Sequence, residues 1–202
     1  MIAIVDYGVG NLFSLRSSFD RIGAETVVTS SPDLIRKTDK ILLPGVGAFE
    51  DAIAKLRASG LDKVVCEEAG CGKPLMGICL GMQLLFEYSY EYGKHRGLGL
   101  LEGSVIGMDG TLPVELKIPQ IGWNGLKIKA EHPILKYVKD GDFVYFVHSY
   151  YADGCLDSLL ATTEYGKEIT AAVARGNVCG TQFHPEKSGE VGLSILRAFA
   201  EW

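Results

Sequence analysis

The sequence lacks any apolar run long enough to cross a bilayer. A membrane-spanning helix needs about 20 consecutive apolar residues, and no stretch of the 202-residue chain approaches that length. The N-terminus also lacks the basic segment and cleavage site of a signal peptide, so it is interpreted as a first strand. Both absences predict a cytoplasmic protein with no membrane partner.

An excess of positive charge is missing as well. The chain carries 20 Lys and Arg against 25 Asp and Glu, a net charge of −5, which gives no electrostatic reason to expect nucleic acid as a partner. Hydrophobic residues make up 47% and charged residues 22%, as in ordinary globular proteins. Linker composition, repeats and low-complexity tracts are absent too, so residues 1–202 are predicted to form a single domain.

Cysteine is sparse and without a framework. An odd number of five scattered cysteines argues against disulfides and for a reducing compartment. Cys66 and Cys71 lie close in sequence, but no histidine or second cysteine pair lies near enough to complete a zinc site. We therefore expect no metal and no cofactor.

The first half alternates short apolar runs with helical patterns, which predicts an α/β fold with a parallel sheet and right-handed crossovers. Strands are predicted at Ile2–Val5, Thr26–Thr29, Lys40–Leu43 and Pro74–Ile78. Helices are predicted to begin at Asn11 and at Ser31-Pro32, and to cover Ala48–Ser59, Leu61–Glu68 and the residues from Cys79 through Phe86.

The second half changes to short strands separated by Gly, Pro and Asp, which predicts an antiparallel portion. The strands are expected at Val114–Ile118, Leu126–Lys129, Phe143–Val147, Thr170–Arg175 and Val178–Phe183. Gly176-Asn177 between the last two is a hairpin signal, and a final helix is expected from about Ser188.

Cys79 stands at the predicted turn from a strand into a helix, with Gly77 and Gly81 two residues away on either side. This spacing is typical of a nucleophile elbow, in which small neighbours make room for strained backbone. A helix N-terminus favours the thiolate, and the free N–H of Leu80 would point at a developing oxyanion. The alternative is a buried structural cysteine at the end of a core strand.

His184-Pro185-Glu186 supplies what a thiol needs to become a nucleophile. In extended chain, positions i and i+2 project to the same side, so His184 can take the Cys79 proton while Glu186 orients the ring. In isolation, such a tripeptide more often belongs to a surface loop with a capping glutamate.

Two glycine-rich turns follow predicted strands. Pro44-Gly45-Val46-Gly47 lies where open α/β sheets build their sites, and its backbone N–H groups are candidates for the second oxyanion donor. Gly8-Val9-Gly10 begins like a dinucleotide fingerprint, but Phe13 occupies the third glycine position and no acidic residue ends the second strand. A Rossmann cofactor site is therefore rejected. Gln83, one helical turn beyond Cys79, is a candidate for substrate contact.

With these residues the chain resembles the class I, or triad, glutamine amidotransferases, and more narrowly the glutaminase subunits of histidine biosynthesis. The resemblance extends along the chain through several further motifs. They are Asp6–Leu12, Leu43–Phe49, Gly77–Gln83, Pro119–Asn124, Tyr145–Tyr150 and Gln182–Glu186.

The resemblance implies the three-layer flavodoxin-like fold of that family and a role for each matching residue. Cys79 would be the nucleophile, His184 the base and later acid, and Glu186 the residue that orients it. Oxyanion donors would come from Leu80 and from Val46 or Gly47. Glutamine would contact Gly47, Gln83, Ser149 and Tyr150. A partner subunit would face Asn11, Gln120, Trp123, Tyr145 and Lys187, while the roles of Glu87 and Glu91 stay open.

The implied activity is hydrolysis of L-glutamine through a thioester on Cys79, with ammonia handed to a second protein. All predicted elements are used by the glutaminase fold, so the acceptor chemistry is expected on another chain. The resemblance implies a heterodimer with a (β/α)8-barrel cyclase that makes imidazole glycerol phosphate and aminoimidazole carboxamide ribotide.

Three alternatives remain open from the sequence. The first is an amidotransferase subunit of another synthase, for anthranilate, aminodeoxychorismate or pyridoxal phosphate. The second is a flavodoxin-like cysteine peptidase, and the third is a regulatory scaffold with a vestigial site. Intact Cys79, His184 and Glu186 argue against the scaffold, and the adjacent Gly-Met-Gln segment argues against the peptidase.

Overall fold

The centre of the molecule is a nine-stranded sheet that is parallel in one half and antiparallel in the other. The structure is a computed structural model that describes residues 1–113 and 116–202. In chain order the strands of this sheet are β1 (Ile2–Val5), β2 (Thr26–Thr29), β3 (Lys40–Leu43), β4 (Leu75–Ile78), β8 (Gln120–Ile128), β9 (Phe143–His148), β11 (Leu159–Glu164), β12 (Glu168–Arg175) and β13 (Val178–Thr181).

A smaller, four-stranded sheet is formed by β5 (Phe86–Ser89), β6 (His95–Arg96), β7 (Leu101–Gly107) and β10 (Tyr150–Asp153). The helices are α1 (Leu12–Arg21), α2 (Pro32–Lys37), α3 (Phe49–Ala58), α4 (Leu61–Gly70), α5 (Leu80–Leu84) and α6 (Gly189–Glu201).

The strand order of the large sheet is β2-β1-β3-β4-β13-β12-β11-β8-β9. Neighbouring strands from β2 to β13 run parallel, and the pairs from β13 to β9 are antiparallel. The expected parallel sheet with an antiparallel C-terminal portion is therefore confirmed.

Helices cover both faces of the parallel half. Alternate residues of β1 enter different cores, since Ala3 and Val5 pack with α3, α4 and α5, whereas Ile2 and Ile4 pack with α1 and α6. This arrangement produces the three layers and explains why β1 is apolar on both faces.

Most predicted elements of the first half agree with the structure, but the helix after Cys79 is shorter than expected. It ends at Leu84, and Phe86 begins β5 instead. Leu84, Leu85 and Phe86 are all fully buried, so this segment has no polar helical face and is accommodated by joining the second sheet.

In the second half, the prediction at Leu126–Lys129 recovered only the end of the nine-residue strand β8. Gly122 and Gly125 interrupt the apolar pattern of that strand, which hid its first part. The strand predicted at Val114–Ile118 lies partly outside the described residues, and residues 116–118 are not in a strand. The hairpin at Gly176-Asn177 is confirmed.

The residues that the structure describes contain no helix of the length and apolarity that a membrane crossing requires.

Candidate active site

Three neighbouring parallel strands end at one edge of the large sheet. β3, β4 and β13 are adjacent and point the same way, so the residues that follow them meet at their carboxyl ends. These residues are the Pro44–Gly47 loop, Cys79 and the segment from Gln182 to His184. The sheet therefore assembles groups from three distant parts of the sequence, as expected for an open α/β fold.

Cys79 has a strained backbone, with φ 54° and ψ −112° at the junction of β4 and α5. Non-glycine residues rarely take positive φ, and such conformations typically persist at functional sites, at a cost of about 1–3 kcal/mol. The residue is 7% exposed. The predicted elbow is thus present, and it holds the thiol at the floor of a cleft.

The glycines on either side of Cys79 are required by close backbone packing. A Cβ atom on Gly81 would lie 1.9 Å from the carbonyl oxygen of Leu43, and one on Gly77 would lie 2.6 Å from the carbonyl oxygen of Gly81. Neither backbone oxygen can move aside without disturbing a strand or the first turn of α5. The turn can therefore be this sharp only because both positions lack a side chain.

His184 and Glu186 form a buried pair, with 2.8 Å between His184 Nδ1 and Glu186 Oε1. Their side chains are 4% and 1% exposed. Within the described residues, the second carboxylate oxygen of Glu186 has no hydrogen-bond partner. His184 is therefore the group that compensates this buried charge.

The ionisation of His184 is set by opposing effects. Burial alone lowers its pKa, but hydrogen bonds with Cys79 and Glu186 and the attraction of their negative charges outweigh it and raise the pKa to about 9. The imidazolium is thus favoured when Cys79 is a thiolate. Cys79, His184 and Glu186 therefore have the contacts that the predicted nucleophile, proton carrier and orienting carboxylate would need.

The predicted oxyanion donors lie around the same cleft. Leu80 is the first residue of α5, so its N–H has no acceptor within the helix. Val46 is 42% exposed, Gly47 has φ 97°, and both line the cleft with Cys79. Their assignment as donors stays a prediction.

Gln83, Ser149 and Tyr150, predicted to contact substrate, also line the cleft. Two of their groups already have partners, because Gln83 Nε2 donates to the Tyr150 carbonyl at 3.0 Å and the Ser149 carbonyl accepts the Met108 N–H at 2.9 Å. The hydrogen bond from Gln83 therefore ties Tyr150, in the wall of the cleft, to helix α5.

Four of the five residues predicted to face a partner subunit are exposed or partly exposed to solvent. Trp123 is 51% exposed and packs edge-on against Tyr145, and the Lys187 ammonium lies 5.8 Å from the centre of the Tyr145 ring. Asn11 caps α1, which contacts the Pro185–Lys187 turn. Gln120 differs, since its side chain is fully buried and offers no exposed surface to a partner.

Four polar residues of the site were not assigned roles from the sequence. Glu91 is 9% exposed and accepts the Phe49 N–H at 2.6 Å; burial, partly offset by this hydrogen bond, raises its pKa. The others are Tyr7, His148 and Gln182. Their burial beside Cys79 depends on strand order, which the amino-acid pattern alone does not reveal.

The cleft has a volume of about 720 Å³, within the range of small-molecule sites. Its walls carry Cys79, His184 and several polar groups, including Glu91 and Lys187. Among residues 1–113 and 116–202 there is no cluster of three or more His, Cys, Asp or Glu side chains suited to a metal ion. The arrangement can support covalent catalysis by a thiol.

The family model described as "Glutamine amidotransferase class-I" matches residues 3–201. The chain belongs to this family. Imidazole glycerol phosphate synthase subunit HisH of Caldanaerobacter subterraneus is 50% identical over 202 residues, covering 100% of this chain and 98% of that protein. The subunit HisH of Methanosarcina mazei is 48% identical, covering 99% and 98%.

Solved structures agree on the fold at low sequence identity. A chain described as glutamine amidotransferase has a TM-score of 0.77 at 19% identity, covering 100% of this chain and 98% of that one. A chain of PurLQS from Thermotoga maritima has a TM-score of 0.76 at 20% identity, covering 99% and 97%. The predicted class I amidotransferase fold is therefore confirmed.

Proposed function

We propose that this chain is the glutaminase subunit of an imidazole glycerol phosphate synthase, hydrolysing L-glutamine and delivering ammonia to a cyclase in histidine biosynthesis. The observation that carries the proposal is the connected set of Cys79, His184 and Glu186 in a cleft of a class I amidotransferase. Full-length similarity to HisH subunits supports the choice of synthase.

Catalysis begins with the Cys79 thiolate beside the His184 imidazolium. Sγ attacks the carboxamide carbon of glutamine, and the negative charge moves to the carboxamide oxygen. When this intermediate collapses, the C–N bond breaks and His184 gives its proton to the departing nitrogen, which leaves as ammonia. Cys79 is left as a γ-glutamyl thioester.

Deacylation uses the same groups in reverse roles. Neutral His184 takes a proton from water as the water oxygen attacks the thioester carbon, and the C–S bond then breaks to release glutamate and regenerate the thiolate. Glu186 keeps the ring oriented through both steps and stabilises its charged form.

We assign the oxyanion donors to the N–H of Leu80 and to one N–H of the loop at Val46 or Gly47. Backbone donors aimed at a developing charge are typically worth about 3–4 kcal/mol each. The exposed position of Val46 and the positive φ of Gly47 support a loop whose N–H groups reorient when glutamine and the partner bind.

The acceptor of ammonia is proposed to be a cyclase subunit with a (β/α)8 barrel, bound as a heterodimer in the cytoplasm. Ammonia released into water at neutral pH would be mostly protonated and non-nucleophilic, so the glutaminase is useful only when docked to its acceptor. The single amidotransferase domain over residues 1–202 is part of the same proposal.

Cys79→Ala tests the function. We expect loss of glutamine-dependent synthesis by the complex, with ammonia-dependent synthesis by the cyclase retained, because only the source of nitrogen is removed. Both rates are measured on the purified complex with glutamine or with an ammonium salt as nitrogen donor. Equal loss of both rates would show that Cys79 serves assembly instead.

A second measurement separates this synthase from the alternatives. Glutaminase activity of the isolated chain is expected to be weak and to rise with the cyclase and its nucleotide ligand. Activation by a chorismate-using enzyme instead would assign the chain to another synthase, and peptide hydrolysis without glutamine turnover would assign it to the cysteine peptidases.

A further inference from the structure

A chain of buried amides connects the nucleophile to the wall of the cleft. Gln182 Nε2 lies 3.7 Å from Cys79 Sγ, and Gln182 Oε1 lies 3.1 Å from Gln83 Nε2. Gln83 Nε2 in turn lies 3.0 Å from the carbonyl oxygen of Tyr150. Gln182 is fully buried and Gln83 is 5% exposed, so these amides do not exchange their partners for bulk water.

The direction of every hydrogen bond in this chain is fixed at the Tyr150 carbonyl. That oxygen can only accept, and it has two neighbours, Gln83 Nε2 at 3.0 Å and His148 Nδ1 at 2.8 Å. Both must therefore donate, which places the Gln83 amino group toward Tyr150 and Gln182. Gln182 consequently accepts with its oxygen and presents its own amino group to Cys79.

We propose that Gln182 is a positioning residue for the nucleophile, donating an N–H to the Cys79 sulfur so that the thiolate is stabilised and aimed into the cleft. Hydrogen bonds to a charged group are stronger than neutral ones, so this contact is worth most when Cys79 is ionised. The catalytic consequence rests on the proposed glutaminase function, whereas the effect on the thiolate does not.

The charged and titratable groups around Cys79 do not duplicate the hydrogen bond that Gln182 donates to the sulfur. His184, paired with Glu186, is the cation that faces the thiolate. The Tyr7 hydroxyl donates to the Pro44 carbonyl at 2.7 Å, and burial together with the charge of Cys79 raises its pKa. Burial lowers the pKa of His148 to about 4, so that ring is neutral near pH 7.

The test compares Gln182→Met with the wild-type chain by alkylation with iodoacetamide across pH 6–9, scored cysteine by cysteine by mass spectrometry. Near neutral pH, Cys79 is expected to react about tenfold more slowly in the variant, and its pH profile to move to higher pH. Glutamine hydrolysis by the complex with the cyclase is expected to show a kcat about tenfold lower with little change in KM.

The same molecule supplies the controls. Cys71 is exposed, so its alkylation should be unchanged, and Cys179 is fully buried, so it should stay unreactive while the variant is folded. Gln182→Glu keeps the length and the acceptor for Gln83 but, when ionised, cannot donate to the sulfur. It should slow Cys79 at least as much as Gln182→Met.

A wild-type alkylation profile in either folded variant would overturn the inference. If Cys179 becomes reactive in Gln182→Met, that variant is unfolded and the inference is tested on Gln182→Glu instead. Unfolding of both variants would show that Gln182 serves the fold alone. Cys79→Ala, assayed in parallel, separates the two proposals. Full glutamine hydrolysis in that variant would refute the glutaminase mechanism without touching the result for Gln182.

Discussion

At the scale of single residues, the site depends on how a buried carboxylate is compensated. Glu186 is almost without solvent and its partner is His184, so an unprotonated ring would leave a charge in a poorly solvated position. The thiolate of Cys79 adds a second reason to keep the proton on His184. His184 and Glu186 therefore form a buried ion pair.

This ion pair makes the stability of the protein depend on pH in a definite direction. The pKa of His184 is raised from 6.5 to about 9 in the folded chain, so the stabilisation is present in full below pH 6.5 and is lost as pH rises toward 9. We expect Glu186→Gln to reduce the free energy of unfolding markedly at pH 6.5 and much less above pH 9. Urea denaturation at a series of pH values measures the difference.

Glu190→Gln is the matched control for this prediction. Glu190 also pairs with a cation, the exposed Arg21, which stays charged throughout the pH range. Its small effect should not change between pH 6.5 and 9.5. A Glu186 difference that is constant with pH would mean that His184 does not carry the proton in the folded state.

The residues found from the sequence are those with a local pattern. Cys79 is flanked by glycines at a fixed spacing, and His184 and Glu186 are separated by a proline, so chemistry can be inferred from neighbours in the chain. Gln182 and Glu91 have no such pattern. Their importance comes from burial and from partners 103 and 42 residues away, respectively, which only the fold reveals.

At the scale of elements, the junction of β4 and α5 is where the fold and the site constrain each other. The start of α5 packs directly on the end of β3, with Gly81 facing the Leu43 carbonyl. The Pro44–Gly47 loop begins at that same end of β3. The contact between Gly81 and Leu43 therefore fixes Cys79 relative to the loop that is proposed to stabilise the oxyanion.

Gly81→Ala should therefore damage stability and activity together. A methyl group 1.9 Å from a backbone oxygen forces α5 away from β3, and we expect a loss of about 3 kcal/mol or more in the free energy of unfolding.

Gly70→Ala, at the end of α4, is the control. A Cβ there meets nothing within 4 Å, so this change is expected to be neutral or stabilising by about 0.5–1 kcal/mol. Thermal and urea denaturation measure both, and a stable, active Gly81→Ala variant would contradict the packing argument.

Element boundaries were harder to predict than element types, for a physical reason. Strands β1, β3 and β4 are almost entirely apolar and buried, so the sequence predicted them well. The segment Leu84–Phe86 is equally apolar, and nothing local separates the end of a buried helix from the start of a buried strand. The boundary is set by the pairing of Phe86 with β7 in the second sheet.

At the scale of the whole molecule, several large apolar side chains are exposed on the surface. Phe13, Ile121, Trp123 and Phe143 are 84%, 61%, 51% and 58% exposed. Trp123 packs on Tyr145, whose carbonyl accepts the His184 N–H at 3.0 Å. A partner bound through Trp123 and Tyr145 would thus press on the backbone of His184, which offers a route for the proposed activation of the glutaminase by its cyclase.

Trp123→Ala should weaken assembly with the cyclase. Exposed tryptophans at the centre of an interface commonly cost 2 kcal/mol or more when truncated, so we expect Kd to rise at least about 30-fold in isothermal titration calorimetry. Tyr137→Ala is the control, because Tyr137 is 49% exposed but bonds Glu201, at the opposite end of α6 from the Lys187 turn. That variant should bind like wild type. If both variants bound equally well, the partner would have to dock elsewhere, and the contact from Tyr145 to His184 would lose its role in activation.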